Sequence, residues 1–165
     1  MAEKGDLKTI LLKMADLCSR SEQCEYDIIQ KLYRSGLNAD DRNKIINYLV
    51  DNRYIDNGRF ARSYASDKCR FLSWGPYKIR MMLAAKRISS SDIRDALENI
   101  SDEEWEEAVM RRARSKGKSL NIDLPDGRDV RLKLYRHLIS QGFSTDLAKM
   151  ALNRLAAEQK SNNED

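Results

Sequence analysis

The chain has 165 residues, 34% of them charged, and a net charge of +4, which suits one good-sized domain or a short array of small units. No apolar run approaches the roughly 18 residues that a membrane span needs. Glu3, Lys4, Asp6 and Lys8 precede any apolar stretch, so the plan of a secretory leader is missing and cytoplasm is expected.

Two prolines and seven glycines, with apolar residues recurring three and four apart, predict a mostly helical protein. From Lys8, the set Ile10, Leu11, Met14, Ala15, Leu17 and Cys18 makes a first helical stripe that ends near Ser19 to Ser21. Cys18, Cys24 and Cys69 form no CxxC pair and are odd in number. A disulfide framework and a zinc site are therefore not expected, and the three read as buried or half-buried thiols. A second helix carries Ile28, Ile29, Leu32 and Tyr33 and stops at Gly36, where a residue without a side chain takes the left-handed cap cheaply. Asn38 is a plausible N-cap for a third helix with Ile45, Ile46, Leu49 and Val50 inside.

The same order of events returns twice. Leu32, Gly36, Leu37 and Asn38 share their spacing with Leu83, Arg87, Ile88 and Ser89, and with Leu138, Gly142, Phe143 and Ser144. Ile45 and Ile46 likewise correspond to Ala96 and Leu97, and to Ala151 and Leu152. The predicted fold is therefore all-α, with three tandem three-helix repeats over 1–53, 54–100 and 101–156, and 157–165 as a frayed, disordered tail. Units of about 50 residues bury little apolar surface alone, so they are expected to stack into an elongated, curved array.

Within the middle repeat Trp74-Gly75-Pro76 introduces the second helix, with proline in the first turn where a missing N–H costs nothing. Ser101 to Glu104 has the capping-box pattern and starts the first helix of the last repeat. Leu120 to Leu124 alternates, Pro125-Asp126-Gly127 is a turn sequence, and Val130 to Leu132 could pair back as a short hairpin. An extended loop leading to a helix from about Asp129 is preferred, because Val130, Leu134 and Leu138 continue at intervals of four.

Charge is zoned along the chain. Residues 1–53 balance; 54–91 carry eight basic against two acidic residues; 92–110 carry one against eight; 111–136 carry nine against three. The basic run from Asp56 to Ile88 also holds Phe60, Tyr64, Phe71, Trp74 and Tyr77. Such a segment must both pack and present a positive surface, which suits an anionic polymer or a partner that holds one. Phe60, Tyr64, Trp74 and Leu138 read as core or repeat-interface residues. Catalytic constellations are missing: there is no phosphate-loop glycine motif, and His137, the single histidine, reads as a helix-surface residue with no metal-ligand spacing around it. A binding protein, not an enzyme, is expected, with no cofactor and no metal.

The string Tyr54-Ile55-Asp56, Arg59-Phe60-Ala61, Tyr64, Arg70, Gly75-Pro76, Ile79-Arg80, Leu83 and Ile88 resembles the signature of the RecX family, bacterial modulators of the recombinase RecA. Arg131, Lys133-Leu134, Arg136, Leu138 and Gln141-Gly142-Phe143 match that family's closing motif, and the resemblance covers about residues 8 to 156. It implies a protein that binds the RecA filament on single-stranded DNA, lies in its groove, and restrains its ATPase, strand-exchange and co-protease activities. The implied partners are the RecA filament and, weakly and without sequence preference, single-stranded DNA, with the protein itself a monomer. Candidate contacts are Arg59, Arg62, Arg70, Lys78, Arg80, Lys86, Arg131, Lys133 and Arg136. Three positions depart from the pattern: Arg87 stands where the family usually has glycine, Asn57 replaces a common aspartate, and Cys24 takes the place of a capping Ser or Thr. The alternative is a general helical DNA- or RNA-binding protein or a helix-turn-helix-like repressor. A purely protein-binding helical array is a third reading.

Overall fold

The computed structural model describes residues 6–120 and 127–163, and among them there are nine helices and no strand. Three triplets follow one another: α1 Leu7–Arg20, α2 Glu25–Tyr33 and α3 Ala39–Asp51; α4 Asn57–Leu72, α5 Pro76–Ala85 and α6 Ser90–Glu98; α7 Asp102–Leu120, α8 Arg128–Ser140 and α9 Thr145–Asn163. The chain is an all-α array of three-helix repeats.

Each triplet is built around the recurrent leucine and turn. Leu32, Leu83 and Leu138 are fully buried, and so, nearly, are Leu37, Ile88 and Phe143 after each turn. The cap position between them is left-handed every time, with φ of 76° at Gly36, 57° at Arg87 and 92° at Gly142. Arg87 thus adopts the glycine conformation without being glycine. In the second and third repeats the N–H of Ile88 or Phe143 returns to the carbonyl of Leu83 or Leu138, at 3.2 and 3.3 Å. The first repeat replaces that bond with a hydroxyl relay: Ser35 Oγ donates to the Leu32 carbonyl at 2.6 Å and accepts from the Leu37 N–H at 3.4 Å. The third helix of each triplet is then capped by Asn38, Ser89 or Ser144 through the N–H three residues on. Ser101 and Glu104 form the reciprocal capping box at α7, and Asp56 caps α4.

Two expectations change. The helix α9 runs on to Asn163, so the residues from 157 expected as a frayed tail are helical that far. Val130 to Leu132 lie in α8, so they form no hairpin strand, and the helix begins at Arg128 as the intervals of four indicated. The remainder of that question, residues 121–126, falls outside the described residues.

Packing divides the chain into two compact units, residues 1–64 with 83–96, and 65–82 with 97–165. The first has a core of Met14, Ile28, Leu32, Leu37, Ile45, Ile46, Leu49 and Ile55, flanked by the apolar face of α1. In the second, α7 and α8 both pack on α9, and Val109, Leu134, Leu138 and Phe143 are among the buried side chains.

Candidate nucleic-acid and protein interface

Three of the nine candidate cations are held in ion pairs within their own units. Arg59, in the first turn of α4, donates to Glu22 at 2.6 Å and to the carbonyls of Arg53 and Tyr54. Lys86, in the turn after α5, meets both carboxylate oxygens of Asp27 at 2.8 Å, with about a quarter of each side chain left exposed. Burial alone would lower the pKa of Lys86, but the hydrogen bonds and charge of Asp27 outweigh it and raise the value. Arg70, in the last turn of α4, forms a pair with Glu104 at 2.9 Å that is open to solvent and screened accordingly. Arg59 and Glu104 both sit three residues after their helix cap. Each therefore ties the first helix of its repeat to the C-terminal end of the first helix before it, with the signs of the pair reversed.

The Asp27–Lys86 contact also has a counterpart. One repeat further on, these positions are Lys78 and Gln141, and Lys78 Nζ donates to Gln141 Oε1 at 3.2 Å. Backbone meets backbone at the same place: the N–H of Gly75 donates to the Gln141 carbonyl at 2.8 Å and that of Tyr77 to the Gly142 carbonyl at 3.0 Å. A Cβ on Gly75 would lie 2.3 Å from the carbonyl carbon of Gly142, and one on Gly142 2.3 Å from the Lys78 nitrogen. The Gly75-Pro76 and Gln141-Gly142-Phe143 motifs are thus the two halves of one joint. In the first unit Glu25 stands where the second has Pro76, and its N–H is taken by the side chain of Asn57 at 3.0 Å. Asn57 supplies the cap that Cys24, buried and making no capping bond, does not.

Around that joint the second unit gathers positive charge. Lys78 lies over the Trp74 ring at 4.3 Å and Lys68 over it at 5.1 Å. Arg111 and Arg112 hydrogen-bond the carbonyls of Cys69, Leu72 and Ser73, where α4 ends and its dipole is negative. Burial lowers the pKa of Lys78 and of Arg112, and Arg112 lowers that of Lys78 further. His137 is half-buried with its Nε2 out of solvent and unpartnered, in place of the surface setting expected for it. Burial holds its pKa down, and Lys116, Arg112 and Lys78 hold it down further. Sequence reasoning missed Arg111, Arg112, Lys116 and His137 as a group. The basic block of 111–136 was the signal, but nothing local shows that Arg112 and His137 come near enough to Lys78 to share one field.

Of the other candidates, Arg131 donates to Asn153 at 3.2 Å, and Arg62 is exposed; the Arg59 N–H chiefly holds the pKa of Asp56 down, and the charge of Arg62 adds to it. Arg80, Lys133 and Arg136 are exposed and have no ion-pair or hydrogen-bond partner among the described residues. Six of the nine candidates, from Arg70 onward apart from Lys86, belong to the second unit. Exposed Phe71, Tyr77 and Met81 accompany them there. The thiols are free, and burial pushes Cys24 and Cys69 up to about 11, so both stay protonated near neutrality. Among the described residues no group of His, Cys, Asp or Glu could hold a metal ion, and no helix is long and apolar enough to cross a membrane.

Tandem three-helix modules locked turn to helix define a helical-repeat protein. The family model described as the second three-helix domain of RecX matches residues 56–97. Regulatory protein RecX of Lactobacillus johnsonii is 26% identical over 155 residues, covering 94% of this chain and 56% of that protein. Its counterpart from Clostridium botulinum is 30% identical over 130 residues, 79% of this chain and 60% of that one. A crystal structure of regulatory protein RecX superposes with a TM-score of 0.78 at 26% identity, over 89% of this chain and 71% of that one. RecX from Lactobacillus salivarius has the same fold, with a TM-score of 0.75 at 23% identity, over 90% and 96% of the two chains. The chain belongs to the RecX family of regulatory proteins. It spans a little over half the length of the first curated relatives it matches.

Proposed function

We propose that this protein is a cytoplasmic regulator that binds the RecA filament on single-stranded DNA and restrains its ATPase, recombinase and co-protease activities. The repeats would span 1–53, 54–100 and 101–156, and the chain would act as a monomer without catalysis of its own. The observation that carries the reading is the separation of its cations into two kinds. Arg59, Arg70 and Lys86 are held in ion pairs within their units. Arg80, Lys133 and Arg136 of the second unit are exposed and unpaired among the described residues, and that unit also holds the field of Lys78, Arg112 and Lys116. Charges left without intramolecular partners are available to phosphates and acidic surfaces, whose contacts are salt-dependent and blind to sequence. Phe71 and Tyr77, exposed in the same unit, suit stacking on unpaired bases.

The test is charge reversal at Arg80, Lys133 and Arg136 together, with RecA-dependent ATP hydrolysis on single-stranded DNA as the readout. The expected result is loss of most of the inhibition while the circular dichroism spectrum is unchanged. Undiminished inhibition would remove these residues from the interface.

A further inference from the structure

The joint between repeats has a receiving side and an entering side. Lys86 enters against Asp27, and Gln141 enters against Lys78. At the spacing of the repeats the entering residue of the first triplet is Ser35, and Lys13 falls where the second triplet has Tyr64. The phenol of Tyr64 feels the charges of Lys86 and Asp27, so that face of α4 is turned toward the preceding repeat. In the first repeat the same face is an open groove of about 670 Å³ that Ser35 borders. Its floor is apolar: Ile10, Met14 and Leu17 of α1 and Leu32 of α2.

The rim decides what fits there. Lys13, Lys31 and Arg34 are exposed and have no partner among the described residues. Arg20 is paired with Asp16 at 2.7 Å, the one carboxylate in the lining. Four cations against one anion repel a second copy of this chain in register, because the receiving side of the last triplet carries Lys133 where the others carry Asp27 and Lys78, with Arg136 one turn on. We propose that the α1–α2 groove receives an amphipathic helix of a partner protein whose apolar stripe is flanked by Asp and Glu. Leucine-like anchors at i, i+3/i+4 and i+7 would lie on the floor, and the acidic flanks would meet Lys13, Lys31 and Arg34. This requires neither RecA nor DNA and stands apart from the cations of the second unit.

The probe is a synthetic, fluorescently labelled helical peptide of about 18 residues, or five turns, with leucines at those positions and glutamates beside them. Fluorescence anisotropy is compared for this peptide, for a scrambled peptide of identical composition, and for a version with lysine in place of each glutamate. Each is titrated with the full chain and with the triple variant K13E/K31E/R34E, whose substituted side chains are exposed and leave the core intact. The expected result is saturable binding of the acidic stripe peptide only, weakened at least about tenfold by the triple variant. The variant should instead gain affinity for the lysine peptide. Amide shifts on titration should fall on α1 and α2. Equal binding of the scrambled peptide, no response to the charge reversals, or shifts confined to the second unit would overturn the proposal. Sedimentation showing a self-associated chain that the peptide cannot dissociate would overturn it in favour of a second copy as the occupant.

Discussion

At the scale of single residues, two side chains sit against their own preferences. Arg87 holds a left-handed backbone that costs a residue with a Cβ about 1 kcal/mol relative to glycine. Its guanidinium lies 5.4 Å from the Tyr26 ring centre, a contact worth about 0.5 kcal/mol at an exposed site. The strain exceeds the contact, so Arg87→Gly should raise stability by somewhat less than about 1 kcal/mol, while Arg87→Ala, which keeps the strain and loses the ring, should lower it by about 0.5 kcal/mol. Urea midpoints at constant slope measure both. His137 offers a pH test. Its folded pKa lies below the ordinary 6.5, so the unfolded chain takes up a proton first as the pH falls. The native state is therefore destabilised progressively below pH about 6.5, with no contribution from this group above it. His137→Gln should flatten the stability profile between pH 7 and 5. An unchanged profile would show that the ring is not held neutral.

At the scale of elements, the joint between α5 and the α8–α9 turn depends on the absence of two side chains. Gly75→Ala would force a methyl into the backbone of Gly142, and Gly142→Ala would force one into Lys78 in addition to its positive φ. Each should cost about 3 kcal/mol or more, in the range of severe overpacking. Gly36→Ala has the left-handed φ but open space around it, so it should cost only about 1 kcal/mol. Thermal melts of the three variants separate backbone conformation from close approach. Asn57→Ala should cost about 1 kcal/mol by uncapping α2, and Asn57→Asp should cost little, since a carboxylate accepts the same N–H. The helices, their Asn and Ser caps and the three turns were legible in the sequence because they depend on neighbours within four residues. The partners across the joints were not. Lys86 and Asp27 lie 59 positions apart, and each looks like ordinary surface charge until the fold brings them together. Cys24, in the place of a capping Ser or Thr, makes no capping bond, and the donor's partner, Asn57, is 32 residues away from Glu25.

At the scale of the whole molecule, the spacing of Leu32, Leu83 and Leu138 with their turns was enough to fix the architecture as repeated triplets, since three copies of a buried leucine and a left-handed cap leave few alternatives. The site was less legible. Nine cations were singled out by position in basic blocks, and composition alone cannot separate a cation that ties two repeats from one that faces outward. The structure makes that separation: Arg59, Arg70 and Lys86 are paired, whereas Arg80, Lys133 and Arg136 have no partner among the described residues. Reversing Lys86 to Glu should therefore reduce stability by setting two carboxylates against each other, whereas reversing Arg80 should leave the melting temperature within about 2 °C. Strand exchange by the RecA of the same organism, titrated with the purified chain, tests the proposed regulation most directly. Inhibition should rise with concentration, weaken with salt and be relieved when Arg80, Lys133 and Arg136 are reversed. Exchange that proceeds undisturbed at saturating protein would contradict it.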